Sequence, residues 1–234
     1  MIKVENLYKN YESKKVMDNF NIDFEKNKVS VLLGPSGCGK STLFNILSSL
    51  DKEYRGKVDI EGKVSYIFQE DRLIPWLTVE ENLRLIPSHG KNINDILERF
   101  HVASKSGTLA RNLSGGEKQR VSIARAFYHG GETILMDEAL RSLDMLLKLK
   151  IIEEISDNIS RESKTMVIIS HDIQEALFIG DRIFILDKDP MKIVSSYDIA
   201  TPRKNRILKT GELLDLEKEI YEKLLGKKSK MLSE

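Results

Sequence analysis

The spacing of apolar residues changes period several times along the chain, and each change predicts an element. Ile2, Val4 and Leu7 open a strand, and Phe20, Ile22 and Phe24 line one face of a second over 16–24. Val29 to Leu33 is a short apolar run that stops at Gly34, as a buried strand does. Gly34 to Lys40 holds three glycines and a proline and reads as a loop. Leu43, Ile46, Leu47 and Leu50 then fall on one side of a helix over 41–50. Val58–Ile60 and Val64–Phe68 read as strands around the turn at Glu61 and Gly62.

From Asp71 to about His129 the period is helical, with helices expected over 78–86, 94–101 and 114–128. Strand patterns return at Thr133–Met136, Thr165–Ile169 and Arg182–Leu186, with an amphipathic helix over 142–159 between the first two. Alternating strands and helices predict an α/β fold with a parallel or mixed sheet and crossover helices. The helical block interrupts that alternation. It reads as an inserted α-helical lobe over about 72–130, within one domain of residues 1–225 whose core is about 1–71 and 131–225. A last helix is expected over 212–225, then a flexible tail over 226–234.

Composition narrows the class. The 234 residues are 41% hydrophobic and 31% charged, a globular balance rather than a disordered one. No apolar run approaches the ~18 residues of a membrane span. Met1 to Glu5 lack the basic-then-apolar pattern of a signal segment. The formal net charge of +1 gives no broad footprint for nucleic acid. One cysteine, Cys38, excludes an intrachain disulfide framework and fits a cytosolic compartment.

The glycine loop carries chemistry. Gly34-Pro35-Ser36-Gly37-Cys38-Gly39-Lys40-Ser41-Thr42 fits G-x-x-x-x-G-K-[ST]. Glycines let the backbone curl around phosphate oxygens, and consecutive N–H groups at a helix start form an anion nest. Lys40 supplies positive charge for the β- and γ-phosphates, and Ser41 a hydroxyl for Mg²⁺. Cys38 reads as a small residue tolerated in the loop. Ile134 to Glu138 is an apolar strand ending in two acids. At a strand's carboxyl end Asp137 can serve the Mg²⁺ shell through water and Glu138 can polarise an attacking water. Alone, such acids are also common turn residues.

Leu113-Ser114-Gly115-Gly116-Glu117-Lys118-Gln119-Arg120 resembles the signature motif of ATP-binding-cassette ATPases. Ser114 with Glu117 three residues on also spells a capping box. Gln69, the signature, the Asp-Glu strand and His171 follow the phosphate loop in the family's order, and the resemblance runs from about residue 2 to 200. It implies a P-loop NTPase core with N-terminal antiparallel strands, ATP and Mg²⁺ as cofactors, and ATP hydrolysis. It also implies that Tyr11 stacks on adenine, Gln69 is a Mg²⁺ and water ligand, and His171 holds the γ-phosphate and water. Ser142-Leu143-Asp144 resembles the loop that crosses to a partner subunit. In the family two cassettes pair head to tail, so each ATP would lie between one chain's phosphate loop and the other's Ser114, Gly115 and Gly116. The chain departs from the family at Ala139 and at Gly130-Gly131, where proline is frequent; no catalytic position is missing.

The stretch Phe68 to Asn82 resembles that of ATPases from nitrate, sulfonate and taurine importers, and relatives moving thiamine precursors share a similar string. Leu73, Ile74, Trp76 and Leu77 read either as the lobe's own core or as a groove for a membrane permease. The expected function is thus the ATP-hydrolysing subunit of an importer at the cytoplasmic face of the membrane. Its expected partners are a second copy, a permease and, indirectly, an extracytoplasmic solute-binding protein. A soluble cassette ATPase acting on DNA or ribosomes is the alternative; a single phosphate loop, no long heptad run and near-neutral charge give it little support.

Overall fold

Strand β3 (Val29–Leu33) is buried at every residue, and so are β6 (Thr133–Asp137) and β7 (Thr165–Ile169). Strands with no solvated face read as continuous apolar runs, and they belong to the interior of a parallel sheet. The computed structural model describes residues 1–12, 14–87 and 90–231, the last seven for their backbone alone. The chain forms two units, Met1–Ile60 with Val167–Glu234, and Glu61–Met166.

In the first unit β1 (Ile2–Tyr11) pairs antiparallel with β2 (Lys14–Phe24) on one side and β4 (Arg55–Ile60) on the other. Ile2 faces Phe24 in one ladder and Ile60 in the other. Of β7, the part from Val167 on lies beside β3, then β8 (Arg182–Asp187), then β9 (Lys192–Asp198). β3 and β8 run parallel, Ser30 opposite Arg182, while β8 and β9 run antiparallel, so this sheet is mixed. Helix α1 (Lys40–Leu47) follows the glycine loop and α6 (Ile173–Ile179) follows β7.

The C-terminal segment of this unit is tied to α6. The buried Arg206 guanidinium donates to the carbonyls of Leu177, Phe178 and Gly180 at 2.6–3.1 Å, capping the helix end. Helix α7 (Gly211–Met231) adds Glu212, which accepts from the Ala200 and Thr201 amides at 2.9 Å. Of the tail expected over 226–234, the backbone through Met231 is helical and 232–234 lie outside the described residues.

In the second unit β5 (Val64–Ile67) runs parallel to β6, Val64 opposite Thr133. The Thr165 amide bonds the Glu132 carbonyl at 2.9 Å and brings the start of β7 alongside. Helices α2 (Val79–Arg84), α3 (Ile93–Arg99) and α4 (Gly115–His129) stand between β5 and β6 in the chain, and α5 (Met145–Glu162) precedes β7. The rings of Phe100 and Phe127 meet at 5.1 Å among the buried side chains of this unit.

The expected fold class is found: mixed α/β with N-terminal antiparallel strands. Three details differ from the sequence pattern. β4 and β5 flank one turn yet pair with different partners, β1 and β6, rather than with each other. α1 ends at Leu47, not Leu50, because the Asn45 carbonyl accepts from both the Leu50 and Asp51 amides and turns the chain. α6 and β9 had no expectation; one is two turns long, the other mostly polar.

Candidate active site

The phosphate loop and α1 lie wholly in the first unit. The loop curls around the Lys40 amine, which donates to the carbonyls of Gly34 at 2.8 Å and Pro35 at 3.0 Å and lies 3.8 Å from Cys38 Sγ. Lys40 is only 5% exposed and these partners are all neutral. A buried cation among neutral groups is poised to take an anion. Gly39 at the N-cap of α1 has φ 111°, and a Cβ there would sit 2.8 Å from Val16 Cγ1. That position requires glycine twice over, by conformation and by space. Ser41 and Thr42 follow in the first turn of the helix, Ser41 exposed. His171 is also exposed, one residue before Asp172, whose carboxylate caps α6 through the Gln174 and Glu175 amides at 2.9 and 3.2 Å.

The paired acids lie in the second unit. Asp137 ends β6 and is buried; the Tyr66 hydroxyl approaches its carboxylate at 3.5 Å. Burial and the Asp137 charge push the Tyr66 phenol well above its usual range, so it stays protonated and a donor. Glu138 takes φ 48°, a left-handed conformation that costs about 1–3 kcal/mol in a non-glycine residue. Its carboxylate lies 3.7 Å from Arg141. Such strain is held where the surrounding structure fixes the residue, here by buried Asp137 before it and buried Ala139 and Leu140 after it.

The expected capping box forms at the start of α4. The Ser114 hydroxyl accepts from the Glu117 amide at 3.3 Å, and the Ser114 amide donates back to Glu117 at 2.8 Å. These bonds hold the Glu117 carboxyl below the ordinary range. A Cβ on Gly115 would meet nothing within 4 Å, so this end of the helix presents bare backbone N–H groups. Asp144 caps α5 through the Leu147 amide at 3.0 Å. Gln69 is exposed just after β5. The glycine pair at 130 and 131 has a steric reason. Gly130 ends α4 at φ 76°, and a Cβ on Gly131 would lie 2.7 Å from Ser65 Oγ.

The loop after Gln69 is held from two sides. Arg125 of α4 donates to the Asp71 and Arg72 carbonyls at 3.0 and 2.9 Å. Asn82, fully buried, accepts from the Ile74 amide and donates to the carbonyls of Ile74 and Thr78. Between these anchors Trp76 stands 70% exposed, while Leu73, Ile74 and Leu77 are partly covered. The core reading of Trp76 is thereby set aside. Tyr66, Asn82 and Arg125 were not singled out from sequence; no motif marks them, because each acts through its position in space.

Comparison with known proteins gives the family. Residues 17–141 match the family model described as ABC transporter. The chain belongs to the ABC transporter family. An aliphatic sulfonates import ATP-binding protein, SsuB 2, of Pseudomonas syringae pv. tomato is 35% identical over 82% of this chain and 85% of its own length. Its namesake in Bacillus subtilis is 36% identical over 76% and 75%. The solved dimeric structure of a bacterial ABC transporter cassette superposes with a TM-score of 0.78 at 28% identity, covering 86% of this chain and all of that one. The ABC chain described here is an importer ATPase: it hydrolyses ATP, with ATP and Mg²⁺ as its cofactors.

The donor set suits that ion. Ser41, Gln69 and Asp137 offer hard oxygen ligands with a single carboxylate. Mg²⁺ at a nucleotide takes one or two protein carboxylates and fills its shell with water and phosphate. Among the described residues no three His, Cys, Asp or Glu gather as an all-protein cage would.

The loop geometry makes one substitution sharply diagnostic. Gly39→Ala should weaken ATP binding by more than about tenfold, because left-handed strain of about 1–3 kcal/mol adds to the collision with Val16. Gly37→Ala meets open space and should lose less. Equilibrium titration with ATP ranks the two; equal affinities would contradict the steric reading.

Proposed function

We propose that this chain energises uptake of a small organic anion of the sulfonate type, by ATP-driven pairing of two copies beneath a membrane permease. Its place is the cytoplasmic face of the membrane, and an external solute-binding protein would deliver the solute to the permease. Among the described residues no helix is long and apolar enough to cross a membrane, so the route for the solute belongs to the partner. The sulfonate-importer names of the relatives support the solute class.

The residue roles follow from chemistry. Tyr11 stacks on the base. The loop Gly34 to Gly39, through the backbone N–H groups of its residues other than Pro35, holds the phosphates with Lys40 and Thr42. Ser41, Gln69 and Asp137 hold Mg²⁺, which when bound neutralises phosphate charge. Glu138 takes a proton from water as the water oxygen attacks the γ-phosphorus and ADP leaves. His171 holds the γ-phosphate and that water in line. Ser114, Gly115 and Gly116 of a second copy close over the triphosphate, and Asp144 lies in the loop that crosses to it. The observation that carries the pairing is the capped N-terminus of α4, with its serine set and Gly115 bare. A helix N-terminus with free N–H groups favours an anion, and phosphate is what the partner would bring.

Glu138→Gln removes the proton acceptor and keeps the shape. It should bind ATP, turn over at least about a hundredfold slower, and sediment as a dimer with ATP. Turnover at the parent rate together with a monomer in ATP would remove both the base and the pairing. Trp76→Ala should keep ATP binding and reduce co-purification of the permease by about tenfold, as loss of an aromatic anchor does. Undiminished co-purification would take Trp76 out of the contact.

A further inference from the structure

The expected base-stacking tyrosine is not a free surface ring. Tyr11 ends β1, and its hydroxyl donates to Asp51 at 2.9 Å. Asp51 lies four residues beyond the end of α1, turned toward it by the Asn45 carbonyl. The hydroxyl is therefore tied to the turn that closes the helix beginning at the phosphate loop.

Lys9 completes the arrangement. It is two residues before Tyr11 on the same face of β1, 3% exposed, with its amine 4.6 Å from the Tyr11 ring centre. That amine is paired with the Asp51 carboxylate at 2.9 Å and donates to the Glu53 carbonyl at 2.7 Å. Burial alone would raise the Asp51 carboxyl, but hydrogen bonds from Lys9, the Glu53 amide and Tyr11 outweigh it and hold the group ionised. The cation sits at the ring, a contact favoured by the ring quadrupole. Tyr11 as a residue is left 46% exposed, open to another planar group.

A buried lysine is costly unless paired, and a pairing that served packing alone would not need to end on an exposed tyrosine hydroxyl. We propose that Lys9 and Asp51 are positioning residues. They fix the plane of the Tyr11 ring relative to the phosphate loop, so that the site accepts a purine base and a triphosphate together rather than a triphosphate alone. This rests on the reading of Tyr11 as the base platform.

The test separates base from phosphate. The full-length protein is titrated with Mg·ATP and with Mg·tripolyphosphate, which has the same phosphates and no base. Tyr11→Ala should weaken ATP by roughly tenfold and leave tripolyphosphate unchanged. Tyr11→Phe keeps the ring and cuts only the tether; it should weaken ATP alone by about threefold. Asp51→Asn should do likewise, and the double variant should be no weaker than Asp51→Asn, because both act through one bond. Lys9→Met should shift ATP in the same direction. If Tyr11→Ala is selective but Tyr11→Phe and Asp51→Asn bind ATP as the parent does, the platform stands and the positioning role falls. If Tyr11→Ala loses nothing selectively, the platform reading falls and takes the positioning role with it. An Asp51→Asn loss shared equally by both ligands also overturns the proposal, since the pair would then serve only the fold.

Discussion

Complete burial of β3, β6 and β7 is the constraint from which the chemistry follows. A strand with no solvated face is mostly apolar, and in these three no ionisable side chain appears before the last residue. β3 stops at the phosphate loop, β6 at Asp137 with Glu138 next, and β7 two residues before His171. Glu138 and His171 thus sit just past a rigid element, less buried than the strands before them, while Asp137 is the buried last residue of β6. The left-handed Glu138 shows how tightly that boundary is held.

A second theme is charge held ready for a ligand. Lys40 is buried against neutral carbonyls, and the N-terminus of α4 offers bare N–H groups next to a capped serine. Lys40 has no carboxylate among its hydrogen-bond partners, the α4 N-terminus holds the Glu117 carboxylate only at the Ser114 amide, and each gains when a phosphate arrives. In the proposed dimer the two kinds of site face one triphosphate from opposite chains. Nucleotide is then the adhesive as well as the fuel, and loss of the γ-phosphate removes the bridge.

Much of this was legible in the sequence, because the determining interactions are local. β3 and β7 match their apolar runs, and the box Ser114–Glu117 starts α4 where its spacing says. Other features depend on contacts distant in sequence. Leu50 continues the helical period of α1, yet Asn45 turns the chain before it. β9 is a strand only through its pairing with β8; its own residues are largely polar and exposed. Trp76 could be core or contact by sequence, and exposure between the Arg125 and Asn82 anchors removes the core reading. Asp51 and Lys9 carry no motif, and Asp51 reaches Lys9 and Tyr11 across a chain separation of 42 and 40 residues.

The most direct measurement mixes two damaged forms of the chain. One carries Lys40→Ala and an intact signature; the other carries Ser114→Arg and an intact phosphate loop. If the triphosphate is shared between copies, each form alone pairs poorly with ATP, and mixing restores one complete site per heterodimer. ATP-dependent dimer and ATPase activity should then rise several-fold above the sum of the separate forms, to about half the parent level at most, one site in two being whole. A mixture that equals that sum, with both forms folded, would show that each chain handles ATP without its neighbour.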